Sequence, residues 1–164
     1  MSRSPSPTSR SDRRTRIVSI GCWCFALLLL FAAGAKLTYP TPLATTLTQR
    51  FELTERASSI VGPALVGYEV LLAGLLILPA MRTVALWALA ATMAVFLGAS
   101  IALGVSDKPV PCGCFGGISL PAMLGFNDQQ IAIWEIGRNA VLVTLACALV
   151  ILHTRQSNVR HATA

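Results

Sequence analysis

Charged side chains are scarce in this sequence. Asp, Glu, Lys and Arg make up 12% of it, about half the share of an ordinary soluble domain, while 54% of the residues are hydrophobic. A continuous water-facing surface is therefore excluded, and with it a soluble globular domain. Histidine is almost missing: His153 and His161 both lie near the C-terminus, far in sequence from the cysteines at mid-chain. Seven acidic residues against thirteen basic ones leave a net charge of +6. Such a surplus would suit nucleic acid, but no basic stretch is interleaved with aromatics. The arginines instead flank apolar runs, so no nucleic-acid partner is expected.

What the chain does have is long apolar runs. A helix that crosses a bilayer needs about 20 apolar residues. Four stretches reach that length, over about 17–37, 60–78, 83–103 and 130–152. They are too long for strands and too evenly apolar for one-faced surface helices. The expected fold class is all-α: an integral membrane four-helix bundle in contact with the lipid bilayer. Only P-A-M-R separates the second run from the third, so these two are antiparallel neighbours. In the third, Ala90, Ala94, Gly98 and Ala102 recur every fourth residue and read as a stripe for close helix packing.

Residues 1–16 are Ser, Arg and Pro with nothing to bury, and are expected to be a disordered tail; residues 153–164 form a second short tail. Ala33-Gly34-Ala35 has the small residues of a signal-peptidase site. However, the run before it is long for a signal core and Lys36 would follow the cut directly, so an uncleaved first helix is expected. With the N-terminus in the cytoplasm, that side receives Arg3, Arg10, Arg13, Arg14, Arg16, Arg82, Arg155 and Arg160. The other side receives Lys36, Arg50, Arg56 and Lys108. This positive-inside bias places both termini in the cytoplasm. The 104–129 connection then faces the periplasm or exterior of a cell (inner) membrane protein.

That connection carries P-C-G-C-F-G-G, residues 111–117. Outside the cytoplasm a disulfide can persist. Cys112 and Cys114 can meet only if the chain bends between them, and Gly113 permits the bend. A ring so small is strained, and strained exposed disulfides are the readily exchanged kind. Three readings are open: a thiol–disulfide exchange pair, a soft-metal site for Cu(I), or an inert bond or turn. The metal reading lacks further ligands, since only Met123 accompanies the pair on that side. Cys22, Cys24 and Cys147 read as apolar packing; in a helix Cys22 and Cys24 diverge by about 200°.

Several charges fall inside the runs. Glu69 interrupts V-G-Y-E-V-L-L, and the last run holds Glu135, Arg138 and Asn139 on one face. A carboxylate at mid-helix costs about 2.5–3.5 kcal/mol, so it needs a reason to be there. Counted from the outer ends of their runs, Glu69 and Arg138 lie equally deep, and a Glu69–Arg138 pair is expected, with Lys36 nearer the surface. These groups either pin helices together or form a polar pocket beneath the cysteines. A quinone head group is the cofactor such a pocket would suit, or it could relay protons.

Taken together, four spans, Lys36 before a proline-bearing loop, Glu69, the outward C-G-C-F-G and Arg138-Asn139 resemble the MauE family of methylamine utilisation proteins, within a wider DoxX-like group. The resemblance covers residues 17 to about 152. It implies a redox-associated membrane protein that supports disulfide formation or maturation in an exported, disulfide-containing partner, by resemblance the methylamine dehydrogenase small subunit. Whether such a protein is an enzyme of the thiol–disulfide oxidoreductase kind, a non-catalytic docking or assembly subunit, or a copper-handling loop is left open at this level. The arginine-rich tail, Cys22-Trp23-Cys24 and Cys147 fall outside the family pattern.

Overall fold

The computed structural model describes residues 7–40, 46–48, 54–105 and 125–162. Among these the chain is almost entirely helical, with four long helices: α1 (Pro7–Thr38), α2 (Glu55–Ile77), α3 (Arg82–Gly104) and α4 (Asp128–Ala162). A single 3-10 turn, Pro79–Met81, joins α2 to α3. All four helices contain segments long and apolar enough to cross a membrane. The most extensive contacts are α1 with α2 and α3 with α4, while α1–α4 and α2–α3 close the ring. The chain thus runs up and down twice. One end of the bundle carries the α1–α2 and α3–α4 connections and is the loop end. The other carries the α2–α3 turn and both terminal segments.

Helix starts follow local chemistry more than hydropathy. α2 begins at Glu55, five residues before the apolar run at Ile60, because the Thr54 hydroxyl caps it by accepting from Ala57 N at 3.3 Å. α4 opens on a reciprocal capping box. Gln130 N donates to Asn127 Oδ1 at 2.9 Å, and Asn127 N donates to Gln130 Oε1 at 3.1 Å. α1 departs from expectation at its start. The helix is already present at Pro7, so the described part of the tail, from Pro7 on, is helical rather than disordered. A proline at the first helical position forfeits no hydrogen bond, and each further residue joins an already nucleated helix. The short C-terminal tail likewise continues α4 as far as Ala162.

The burial pattern is that of a membrane protein turned toward lipid. Val84 is 68% exposed, Val95 67% and Trp87 59%, whereas Lys36 is 2% exposed and Glu69 is fully buried. The interior has two different halves. Toward the terminal end lies one apolar cluster, with Val18, Cys22 and Leu29 of α1 against Leu72 and Leu76 of α2. Leu86 and Leu89 of α3 and Leu149 and Val150 of α4 complete it. Toward the loop end the buried positions include Lys36, Glu69, Ser100, Glu135 and Asn139.

Two packing expectations are corrected. Most of the stripe on α3 faces outward: Ala90 packs partly buried against the core, but Ala94, Gly98 and Ala102 are exposed, and a Cβ built on Gly98 meets nothing within 4 Å. Its spacing of four drifts about 40° per step round the helix, and Leu86, Leu89 and Met93 claim the core side instead. Of the three cysteines read as packing, Cys22 is buried, whereas Cys24 and Cys147 are exposed on the outer face. The 200° divergence of Cys22 and Cys24 leaves room for only one of them in the core.

Candidate functional site

The buried ions meet near the loop end. Lys36 Nζ lies 2.6 Å from Glu69 Oε1, an ion pair that joins α1 to α2. The partner of Glu69 is thus Lys36 and not Arg138. The expectation assumed that all four helices end in one plane, and they do not. Lys36 is two residues from the last residue of α1, whereas Glu69 is fourteen residues from the first of α2. At 1.5 Å per residue, α2 overtops α1 by roughly 15 Å at the loop end. A lysine that looks superficial by its place in α1 is therefore level with a carboxylate deep in α2. Side chains in helices lean toward the N-terminus, so on antiparallel α1 and α2 these two lean toward each other.

The α3 helix supplies a third side. The Lys36 ammonium stands 5.8 Å from the centroid of the Phe96 ring, within cation–π range. One oxygen of Glu69, Oε2, is buried with no hydrogen-bond partner among the described residues. A buried carboxylate oxygen that accepts nothing is costly, so this acceptor is the most conspicuous open valence of the pair.

A second set of polar contacts joins α3 to α4. Asn139 Nδ2 donates to Ser100 Oγ at 2.7 Å, with both side chains buried. Glu135, also buried, lies one turn before Asn139, and half-buried Arg138, next to Asn139 in the chain, is likewise one turn from Glu135. Between α2 and α3, the Tyr68 and Thr92 hydroxyls are 2.7 Å apart, and Thr92 Oγ1 also donates to Ala88 O at 2.8 Å. Each of these three helix pairs thus has its own polar clasp. Of the groups anticipated from sequence, the structure brings Lys36 to Glu69 and sets Glu135, Arg138 and Asn139 on α4. Cys112 and Cys114 lie outside the described residues. Sequence reasoning missed Phe96, Ser100, Tyr68 and Thr92, which look like ordinary span residues in a linear reading.

Above the ion pair, on the outer face of the α1–α2 junction, is a cleft of about 110 Å³ lined by Lys36, Leu37, Pro40, Gly62, Pro63 and Val66. It lies where α1 stops and α2 continues, beside a flank of α2 that no other described residue covers. Pro63 is internal to α2 and has no N–H to give the carbonyl four residues back, so its flat ring forms part of the wall. Val66 lies one turn from Glu69 on the same face of α2, and Lys36 belongs to both the cleft and the ion pair.

The family model described as "Methylamine utilisation protein MauE" matches residues 14–152, most of the chain. No curated protein and no solved structure shows significant similarity to it.

Proposed function

Because the chain belongs to the MauE family, which makes it a membrane protein of methylamine utilisation, we propose that it supports disulfide formation in an exported partner through Cys112 and Cys114. The partner proposed from the resemblance is the small subunit of methylamine dehydrogenase. The observation that carries the reading is the C-G-C spacing in the connection between α3 and α4. Two thiols one residue apart, joined by the one residue that imposes no steric bar, form a strained and exchangeable disulfide. That connection leaves from the same end of the bundle as the Lys36–Glu69 pair. The chemistry is a balanced exchange: a thiolate of the partner attacks the Cys112–Cys114 disulfide, a mixed disulfide forms, and the partner's second thiol resolves it. The partner gains a disulfide, and Cys112 and Cys114 leave as two thiols.

Orientation belongs to the same proposal. The excess of arginine near both termini and at Arg82 supports a cell-membrane protein with cytoplasmic termini and the cysteine connection outside, where a disulfide persists.

Trapping of thiols in intact membranes tests it. Cys112 and Cys114 should be found partly oxidised, and changing either to serine should stop maturation of the partner while leaving the protein's membrane level intact. One of the two serine variants should hold a mixed disulfide with an exported protein: in the reverse exchange its lone thiolate attacks a disulfide of the partner, and the second cysteine that would release it is gone. Full maturation of the partner with both variants would overturn the exchange reading and leave a docking subunit in its place.

A further inference from the structure

The terminal end of the bundle takes no part in the exchange chemistry, yet it gathers most of the chain's positive charge around one inward-facing arginine. We propose that this end, at Arg82 and the Arg13–Arg16 turn of α1, binds the phosphodiester head group of an anionic phospholipid.

Arg82 is the anchor. It lies three and four residues before Ala85 and Leu86, so it continues the core face of α3, and it is half-buried. Its Nε is buried with no hydrogen-bond partner among the described residues. No ion pair joins it to a carboxylate among them either. A buried guanidinium N–H that donates to nothing is costly, and a phosphate oxygen is the acceptor whose geometry an arginine fork fits best.

Helix register brings further cations to the same level. The close approach of Gly21 to Leu149 sets α1 against α4, and the Thr83–His153 hydrogen bond of 3.0 Å sets α3 against α4. Counted from those two contacts along antiparallel helices, Arg16 and Arg82 both fall level with Thr154. Arg13, Arg14 and Arg16 are exposed within one turn of that level, and Arg155 is exposed beside it on α4. Asp12 is the one acidic residue in the sequence at this end, against eight arginines. The choline or ethanolamine of a zwitterionic lipid would meet that positive field with a cation of its own, whereas an anionic head group brings none.

Depth selects a lipid over a soluble anion. Trp23 and Trp87 are exposed on the outer surface, roughly 8–10 Å further into the spans than Arg16 and Arg82. Exposed tryptophans mark the head-group boundary of a bilayer, so the arginines stand at the height of lipid phosphates. Just inside that level, Ile17, Ile20 and Val84 present 45%, 63% and 68% of their surface outward, an apolar wall along which acyl chains can lie while the phosphate meets the arginines.

The test places the full-length protein in nanodiscs of equal phosphatidylglycerol and phosphatidylcholine and counts, by native mass spectrometry, the lipids that the released protein retains. Wild-type protein should retain phosphatidylglycerol in preference. One arginine at a membrane surface changes affinity for anionic lipid about fivefold. Arg82→Gln should therefore lower the preference by about that factor, and Arg14→Gln/Arg16→Gln by more. Arg14 and Arg16 are exposed, so the double variant should keep its unfolding midpoint in phosphatidylcholine, which preserves the test if Arg82→Gln is unstable. Arg56→Gln removes one positive charge at the loop end and should leave the preference unchanged. A fall with Arg56→Gln as large as with Arg82→Gln, or no fall with the Arg14/Arg16 double variant, would overturn the site. Inorganic phosphate forms the second arm: displacement of the retained lipid by phosphate at equal concentration would assign the arginines to a soluble anion and overturn the lipid. A Cys112→Ser/Cys114→Ser protein should retain the same lipid, because the site is independent of the exchange reading.

Discussion

At the scale of single residues, the Lys36–Glu69 pair is where a substitution should cost most. Removing one partner leaves a buried charge uncompensated, typically ~3–5 kcal/mol, whereas removing both together is often close to neutral. Lys36→Ala and Glu69→Ala should therefore each lower unfolding stability in detergent by several kcal/mol, and Lys36→Met/Glu69→Met by much less than their sum. Additive losses in that cycle would mean that the two groups do not interact. Asn139→Ala provides the contrast. It removes a neutral hydrogen bond to Ser100, which inside a membrane averages ~0.6 kcal/mol and reaches ~1.7 at most. The sequence exposed Lys36, Glu69 and Asn139 as anomalies, because a charge or amide inside an apolar run is conspicuous, but it gave no sign of Ser100. It could not show which anomaly met which. Depth along a run says nothing of how far the neighbouring helix extends.

Helices as units show the same division between what a linear pattern carries and what it does not. The existence and number of spans were legible, since twenty apolar residues have few other uses. The start of α2 was not read: hydropathy put it at Ile60, whereas Thr54 caps a helix that begins five residues earlier. Facing was not legible on α3, because a repeat of small residues marks a contact only if another helix stands there. The close approach lies elsewhere, between α1 and α4. A Cβ on Gly21 would come within 2.6 Å of Leu149 Cδ2. Gly21→Val should therefore destabilise the bundle by ~1–3 kcal/mol through overpacking, and Leu149→Ala should recover part of the loss. Gly98→Ala, which meets open space, should change the unfolding midpoint little or raise it through better helix propensity. Equal effects at Gly21 and Gly98 would contradict the α1–α4 contact.

For the molecule as a whole, the membrane's asymmetry provides the test. If the arginine bias sets orientation, reporter fusions at residues 81 and 108 should report opposite compartments, with residue 81 in the cytoplasm. The same compartment for both would break the proposed arrangement of α3. The division into an apolar half and a polar half also has a consequence for membrane voltage. Carrying one elementary charge across the membrane is worth about 2.3 kcal/mol per 100 mV. The two charges of the buried pair are 2.6 Å apart, less than a tenth of a hydrocarbon core ~30 Å thick. The field therefore acts on the pair as on a short dipole, with at most roughly 0.2 kcal/mol per 100 mV. A site built this way can hold strong local chemistry deep in a polarised membrane and remain nearly indifferent to the potential across it. Lys36→Met alone would end that indifference, because the carboxylate left behind feels the field as a lone charge.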